Sequence, residues 1–440
     1  MIMKTKMKYF LLPALLFALS GCSNAAGTNN SSSKSNSDDS YSPDPTFYYP
    51  GEGGGSMSGA DVPGGESGGY ADEIAPSEGE GDVITPTEPS PEPTQPAAGQ
   101  LTCKALDDNQ YYDYWKSLGT SNQQGKGQFQ SYKEKFAFNT YNRLDLTINN
   151  GTNVSVKVKG DTYATKVDNL HKAYLFPQVE KESYEVEISY IDSTNTPQTL
   201  ERTVNDGDVI DLEDTFTLSN DLEIMFVIDA TGSMGDEMRY IKSEIDDVIS
   251  KVKEKNTQAN IKLAMMVYRD TSDDYVTKYS DFTTDIAAQQ NWLKAQQADG
   301  GGDFEEAVQV ALDEAINKQW SSNSTKLLFH VADAPAHDKD VQSWNQSALL
   351  AARKGIKIIT VASSGIDLKT EYFFRSQSLL TSGQYVYLTS DSGIGGSHLE
   401  ASTQEQLTVE YLNECLIRLI DGYFTGEMSE PVSWKQSNQQ

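Results

Sequence analysis

The sequence is poor in the residues that redox, zinc and nucleic-acid chemistry need. It has three cysteines and four histidines in 440 residues. Cys22, Cys103 and Cys415 lie far apart, so no paired-cysteine metal or redox motif can be built. His171, His330, His337 and His398 lack the close helical spacing of a zinc hydrolase. Basic residues are also scarce, 35 Lys and Arg against 64 Asp and Glu, for a net charge of -29. Phosphate backbones are held by clustered Lys and Arg, so polynucleotide binding is excluded. The apolar fraction, 37%, is below that usual for globular domains, which implies that part of the chain is not packed.

The apolar deficit is local. Ten of the fifteen prolines and thirteen of the 33 glycines fall between residues 23 and 100, with thirteen acids against Lys34 alone, a net -12. Such a segment cannot bury enough apolar surface to offset its ordering entropy and reads as a disordered linker. Treated as a flexible coil it spans roughly 50 Å. Residues 101–440 keep a net -20 and are long enough for a sizeable core.

Lys4, Lys6 and Lys8 precede an apolar run from Tyr9 to Leu19, then Ser20, Gly21 and Cys22. The run is too short for a stable membrane span and has the flanks of an export signal. Leu19, Ser20, Gly21 and Cys22 resemble a bacterial lipoprotein signal, which implies cleavage before Cys22, its lipidation and anchoring on a membrane. An ordinary cleaved signal peptide is the other reading. Export implies an extracytoplasmic protein, and Ser23 lacks the Asp that often marks inner-membrane retention. In that setting Cys103 and Cys415 either form one disulfide or remain two buried free thiols.

Within 101–220, residues 104–143 read as a peripheral cap. Period-two alternation follows: Leu144, Leu146, Ile148, then Val154, Val156, Val158, then Tyr184, Val186, Ile188. With turns at Asn149–Gly151 and Asn205–Gly207 this predicts a small all-β sandwich. The run Thr165 to Pro177 resembles carboxypeptidase regulatory-like and transthyretin-like sandwiches, with His171 as a surface residue where Gly is common. No catalytic constellation appears there.

From 221 to 425 strand and helix patterns alternate. Glu223–Asp229, Ile261–Tyr268, Lys326–Ala332, Ile356–Ala362 and Tyr385–Leu388 read as buried strands, and stretches near 284–298, 304–318, 341–353 and 404–421 as helices. A further helix follows Asp229, its apolar stripe running from Met238 to Val252. This is α/β grammar: a doubly wound, mostly parallel sheet between helices. Residues 426–440 read as a flexible tail. Ligands of such sheets bind at the carboxyl ends of strands. There stand Asp229, Thr231 and Ser233, three oxygens on alternate residues of one tight loop, suited to a hard cation. Asp333 follows a later strand, and Gly300, Gly301, Gly302 and Asp303 open a loop between them.

These residues resemble the von Willebrand factor type A domain with its metal-ion-dependent adhesion site. The resemblance implies a divalent cation, Mg²⁺ with Mn²⁺ or Ca²⁺ as alternatives, on Asp229, Thr231, Ser233 and Asp333. In the second loop Phe304 stands where the family places Thr, and the resemblance makes the adjacent Asp303 the substitute. Tyr268, Arg269, Asp270 and the stretch Thr389 to His398 also resemble a subgroup of that family, without a defined role. The implied function is binding: an acidic side chain of a partner protein completes the cation's open position. A structural or assembly protein whose metal only holds the fold is the alternative. A phosphatase of the haloacid-dehalogenase type would need Asp where Thr231 stands, and a metal-dependent hydrolase finds no suitable histidine set, so no enzyme is expected.

Overall fold

A computed structural model describes residues 96–120, 127–136 and 138–437. The expected signal segment with Cys22, and the 23–100 linker up to residue 95, lie outside the described residues. Strand β1 (Thr102–Leu106) opens the body, followed by helices α1 (Tyr112–Leu118) and α2 (Gln130–Lys135). Seven strands follow: β2 (Leu144–Asn149), β3 (Thr152–Val158), β4 (Ala164–Lys166), β5 (Lys172–Leu175), β6 (Tyr184–Ile191), β7 (Pro197–Val204) and β8 (Val209–Asp211). Next come β9 (Asp221–Asp229), α3 (Gly235–Lys255), β10 (Asn260–Tyr268), β11 (Thr277–Thr283), α4 (Ile286–Lys294) and α5 (Val308–Asn317). The chain closes with β12 (Thr325–Ala332), α6 (Val341–Lys354), β13 (Ile356–Ala362), α7 (Leu368–Leu380), β14 (Tyr385–Leu388), β15 (Glu410–Tyr411), α8 (Leu412–Thr425) and α9 (Trp434–Ser437).

Eight strands form the large sheet in the order β11-β10-β9-β12-β13-β14-β1-β15. The five from β10 to β14 are parallel neighbours; β11, β1 and β15 pair antiparallel at the flanks. Strand β9 is buried from Leu222 to Asp229, and the two-residue pleat divides its side chains. Met225 and Val227 enter one core with α5, α6 and α7, while Ile224, Phe226 and Ile228 enter the other with α3, α4 and α8. The doubly wound sheet follows from that division.

The predicted sandwich is present as sheets β5-β2-β8 and β4-β3-β6-β7. Its buried Leu144, Leu146, Ile148, Val156 and Val186 run into the same apolar cluster as Trp344 and Phe373. Polar links join the two parts: Lys357 Nζ lies 2.8 Å from Asp168 Oδ2, and Asn169 Nδ2 donates to the carbonyls of Tyr423 and Phe424 at 3.0 and 2.9 Å. His171 has φ +63°, the left-handed backbone that favours Gly.

Two boundaries differ from expectation. Residues 104–106, read as the start of a peripheral cap, belong to strand β1 of the large sheet, between β14 and β15. Glu244 anchors their entry by accepting backbone N–H bonds from Gly99, Gln100 and Leu101 at 2.7, 2.8 and 3.0 Å. Past residue 425, expected as a flexible tail, Trp434 donates its backbone N–H to Val409 O at 3.0 Å and its ring meets Tyr411. Cys103 on β1 and Cys415 on α8 are both fully buried and stand as free thiols, not as a disulfide. Burial first, and then the neighbouring Cys415, push the Cys103 thiol well above its ordinary pKa. Among the described residues no helix is long and apolar enough to cross a membrane.

Candidate metal centre

Strands β9 and β12 run parallel side by side, so the loops after them leave the same edge of the sheet. The chain passes from β9 to β10 on one side and from β12 to β13 on the other. A crevice opens at such a reversal of strand order, and Asp229 and Asp333 stand on its two lips. Asp229 is fully buried; its Oδ1 accepts from the Thr231 backbone N–H at 2.9 Å and from the Thr231 hydroxyl at 2.6 Å. Thr231 Oγ1 is 3.3 Å from Ser233 Oγ, and Ser233 neighbours Asp333, whose pKa it lowers. Asp333 is buried and Ser233 exposed, so this group of oxygens opens to solvent on the serine side. The structure thus brings together Asp229, Thr231, Ser233 and Asp333.

The glycine loop closes the crevice. Gly232 N–H donates to Gly300 O at 3.1 Å and Asp299 N–H to Ala230 O at 3.0 Å. Gly300 and Gly301 have φ of +80° and +78°, and a Cβ on Gly301 would stand 3.1 Å from Glu306 Oε1 and 3.5 Å from Thr231 Cβ. Glycine is required for that approach. Arg269, 8% exposed, pins the first loop by donating from Nε to Ala230 O at 3.0 Å.

Asp303 is exposed. Its carboxylate groups instead with Asp270 and His337, the three ligand atoms lying within 4.8 Å of one another. A further buried carboxylate whose charge is felt with those of Asp229 and Asp333 is Glu306, 3% exposed. A parallel bridge to Ala336, with Glu306 N–H donating to Pro335 O at 2.9 Å, carries it in.

Three carboxylates in so little water repel one another. Burial and then Asp333 hold the Asp229 carboxyl well above the carboxylate range, and burial does the same for Asp333. Glu306 is pushed up to about 9 by burial and then by Asp229, Asp270, Asp273 and Asp333. Asp229 Oδ2, Asp333 Oδ1 and Glu306 Oε2 are buried with no hydrogen-bond partner. Unsatisfied buried carboxylate oxygens are costly, and a divalent cation among them answers both the missing partners and the repulsion. The donor set, carboxylate and hydroxyl oxygen, fits a hard cation.

Behind Asp229 runs a buried chain of directed hydrogen bonds. Trp344 Nε1–H donates to Gln377 Oε1 at 2.8 Å, which fixes the amide's orientation because indole can only donate. Gln377 Nε2 then donates to Thr360 Oγ1 and to His330 Nδ1, both at 2.8 Å. His330 Nδ1 must accept, so its proton sits on Nε2 and is donated to Tyr268 Oη at 3.1 Å. With His330 donating to it, the Tyr268 hydroxyl has its own proton free to turn toward Asp229, its neighbour, whose Oδ2 has no hydrogen-bond partner. Read from the sequence, neither Tyr268 nor His330 has a defined role; their adjacency needs the β10 and β12 strands flanking β9. His398, on the stretch after Thr389, lies 3.1 Å from Glu237, which also accepts from the Ser364 N–H. Glu306 was missed, because Asp303 and Glu306 are two acids of one loop and only the fold tells which turns inward.

Residues 223–401 match the family model of the von Willebrand factor A domain. The alpha-protein kinase vwkA of Dictyostelium discoideum is 28% identical over 169 residues, covering 38% of this chain and 27% of that protein. A putative ariadne-like RING finger protein of Acanthamoeba polyphaga mimivirus is 27% identical over 188 residues, covering 38% and 18%. The chain thus spans about a quarter or less of the length of these curated relatives. Among solved structures, the conserved hypothetical protein BatB from Bacteroides thetaiotaomicron is similar with a TM-score of 0.30 and 15% identity, over 38% of this chain and 89% of that one. With its large, mostly parallel sheet flanked by helices, the chain carries a von Willebrand factor A domain over residues 223–401.

Proposed function

We propose that this domain binds a divalent cation, Mg²⁺ first and Mn²⁺ or Ca²⁺ as alternatives, and uses it to capture an acidic group of a partner protein. A von Willebrand factor A domain supports an interaction or adhesion role in general; the cation and the acidic partner are the finer reading. The observation that carries it is the set of unpartnered buried oxygens on Asp229, Asp333 and Glu306 at the mouth of the β9/β12 crevice. Asp229, Thr231, Ser233 and Asp333 would hold the cation, with Glu306 as the inward third carboxylate in place of Asp303. When bound, the cation supplies a positive centre to which an incoming carboxylate can add. The chain's own residues then have clear tasks. Tyr268 and Thr231 orient Asp229, the glycine loop shuts out water from below, and exposed Ser233 leaves one side open to the partner.

We further propose a binding protein rather than an enzyme, held on the extracytoplasmic side of a membrane, facing the cell surface or the periplasm, through a lipidated Cys22 and spaced from the membrane by the 23–100 linker. A negatively charged body slows an acidic partner, and the bound cation is the local exception that admits it. Pull-down of surface proteins in Mg²⁺, in EDTA and with Asp229→Ala tests the reading. Loss of a partner in both perturbations, with circular dichroism unchanged, is expected. Undiminished capture would sink the adhesion reading and favour a metal that only holds the fold.

A further inference from the structure

We propose a second cation site, separate from the first, formed by Asp270, Asp303 and His337 with Glu306 behind it, that takes a borderline transition cation, Zn²⁺, in preference to Mg²⁺. The three side chains come from three loops at the same sheet edge: Asp270 follows β10, Asp303 follows the glycines, and His337 follows β12. Their ligand atoms lie within 4.8 Å of one another, and among the described residues no other set of three His, Cys, Asp or Glu is found so close. A tetrahedral ion about 2.0 Å from each ligand places the ligands about 3.3 Å apart. His337 Nε2 and Asp270 Oδ1 are already 3.4 Å apart, too long for a firm hydrogen bond and right for two ligands of one ion.

Glu306, which borders the first site, neighbours this cluster as well. Glu306 is 3% exposed and its Oε2 has no hydrogen-bond partner; after burial and Asp229, the charges of Asp270 and Asp273 raise its carboxyl pKa. Its backbone bridge to Ala336 sets it one residue from the His337 loop. Asp270 is held in place: its backbone N–H donates to Asp273 Oδ2 at 3.1 Å, and Asp273 Oδ2 also takes the Gly301 N–H at 2.9 Å. Asp303 is exposed, so an ion reaches the site from solvent. An imidazole nitrogen among carboxylates suits Zn²⁺, whereas Mg²⁺ favours oxygen alone. Its three ligands differ from Asp229 and Asp333, while Glu306 neighbours both sites, so Asp229→Ala separates this site from the one used in the adhesion reading.

The test uses the full chain, stripped with EDTA and titrated with ZnCl₂ alone in excess Mg²⁺, read by isothermal calorimetry and by the visible spectrum of a Co²⁺ substitute. One Zn²⁺ per chain is expected. His337→Ala and Asp303→Asn should each weaken it at least tenfold, Asp229→Ala should retain it, and the Co²⁺ spectrum should change in His337→Ala. Both substituted side chains are partly or fully exposed, and a thermal melt checks that the variants fold. Absence of Zn²⁺ uptake by the wild type in Mg²⁺, equal affinity in His337→Ala and Asp303→Asn, or loss in Asp229→Ala would overturn the proposal.

Discussion

Replacing Asp108 by alanine should destabilise the whole von Willebrand factor A body, although residue 108 lies more than a hundred residues before the domain begins in sequence. Arg375 on α7 is fully buried, and Asp108 takes two of its donors: Nε to Oδ2 at 2.9 Å and a terminal nitrogen to Oδ1 at 2.5 Å. Its other terminal nitrogen serves Glu371 at 2.7 Å and Ser402 O at 2.9 Å. Removing Asp108 leaves half of a buried guanidinium without partners, and breaking a buried pair from one side costs about 3–5 kcal/mol. At about 2.1 cal/mol/K per residue, a body of roughly 340 residues has an unfolding entropy near 0.7 kcal/mol/K, so the melting midpoint should fall by about 4–7 °C. Calorimetry at fixed Mg²⁺ measures this. Asp113→Ala is the control, since Asp113 lies on the same segment with a side chain 98% exposed and should shift the midpoint by under about 1 °C. A shift under about 1 °C for Asp108→Ala would refute the claim that 101–120 is an integral part of the α/β body.

Further predictions follow from buried groups. Burial lowers His330 to about 3, so its stability contribution is complete above the unfolded pKa of about 6.5 and is lost as pH falls toward 3. Wild type should therefore lose about 2 kcal/mol relative to His330→Gln between pH 7.5 and pH 5 in urea unfolding; a gap that does not change with pH would contradict this. Cys103 and Cys415 are fully buried free thiols. Ellman's reagent should find neither in the folded protein and both after guanidinium, with no reductant; silence after denaturation would instead mean a disulfide.

Much of the fold was legible because its signals are local. The apolar run of β9 and the stripe of α3 report burial on two faces and on one face, and both elements stand where those patterns put them. Helix α7 was missed for the opposite reason: it is buried on every side from Thr370 to Leu380, so it carries no amphipathic stripe to read. Strand β11 is a polar edge strand, and β1 owes its place to pairing with β14, nearly three hundred residues later. In the site, Asp229, Thr231 and Ser233 announced themselves by their alternate spacing in one loop, and Asp333 by its place after a later strand together with the family resemblance. Glu306 and the Tyr268–His330–Gln377 chain did not, since their roles come from neighbours across the sheet.

The central claim is a cation held by Asp229, Thr231, Ser233 and Asp333 with Glu306 beside them, and a melt of the full chain in EDTA against a Mg²⁺ titration tests it most directly. At a hundredfold excess over the dissociation constant the wild type should gain about 2.7 kcal/mol, roughly a 4 °C rise in midpoint on the entropy scale used above. Asp333→Asn and Glu306→Gln should lose most of this gain, while Asp303→Asn keeps it. A wild-type midpoint indifferent to Mg²⁺, Mn²⁺ and Ca²⁺ alike, or a gain abolished by Asp303→Asn but not by Glu306→Gln, would contradict the account.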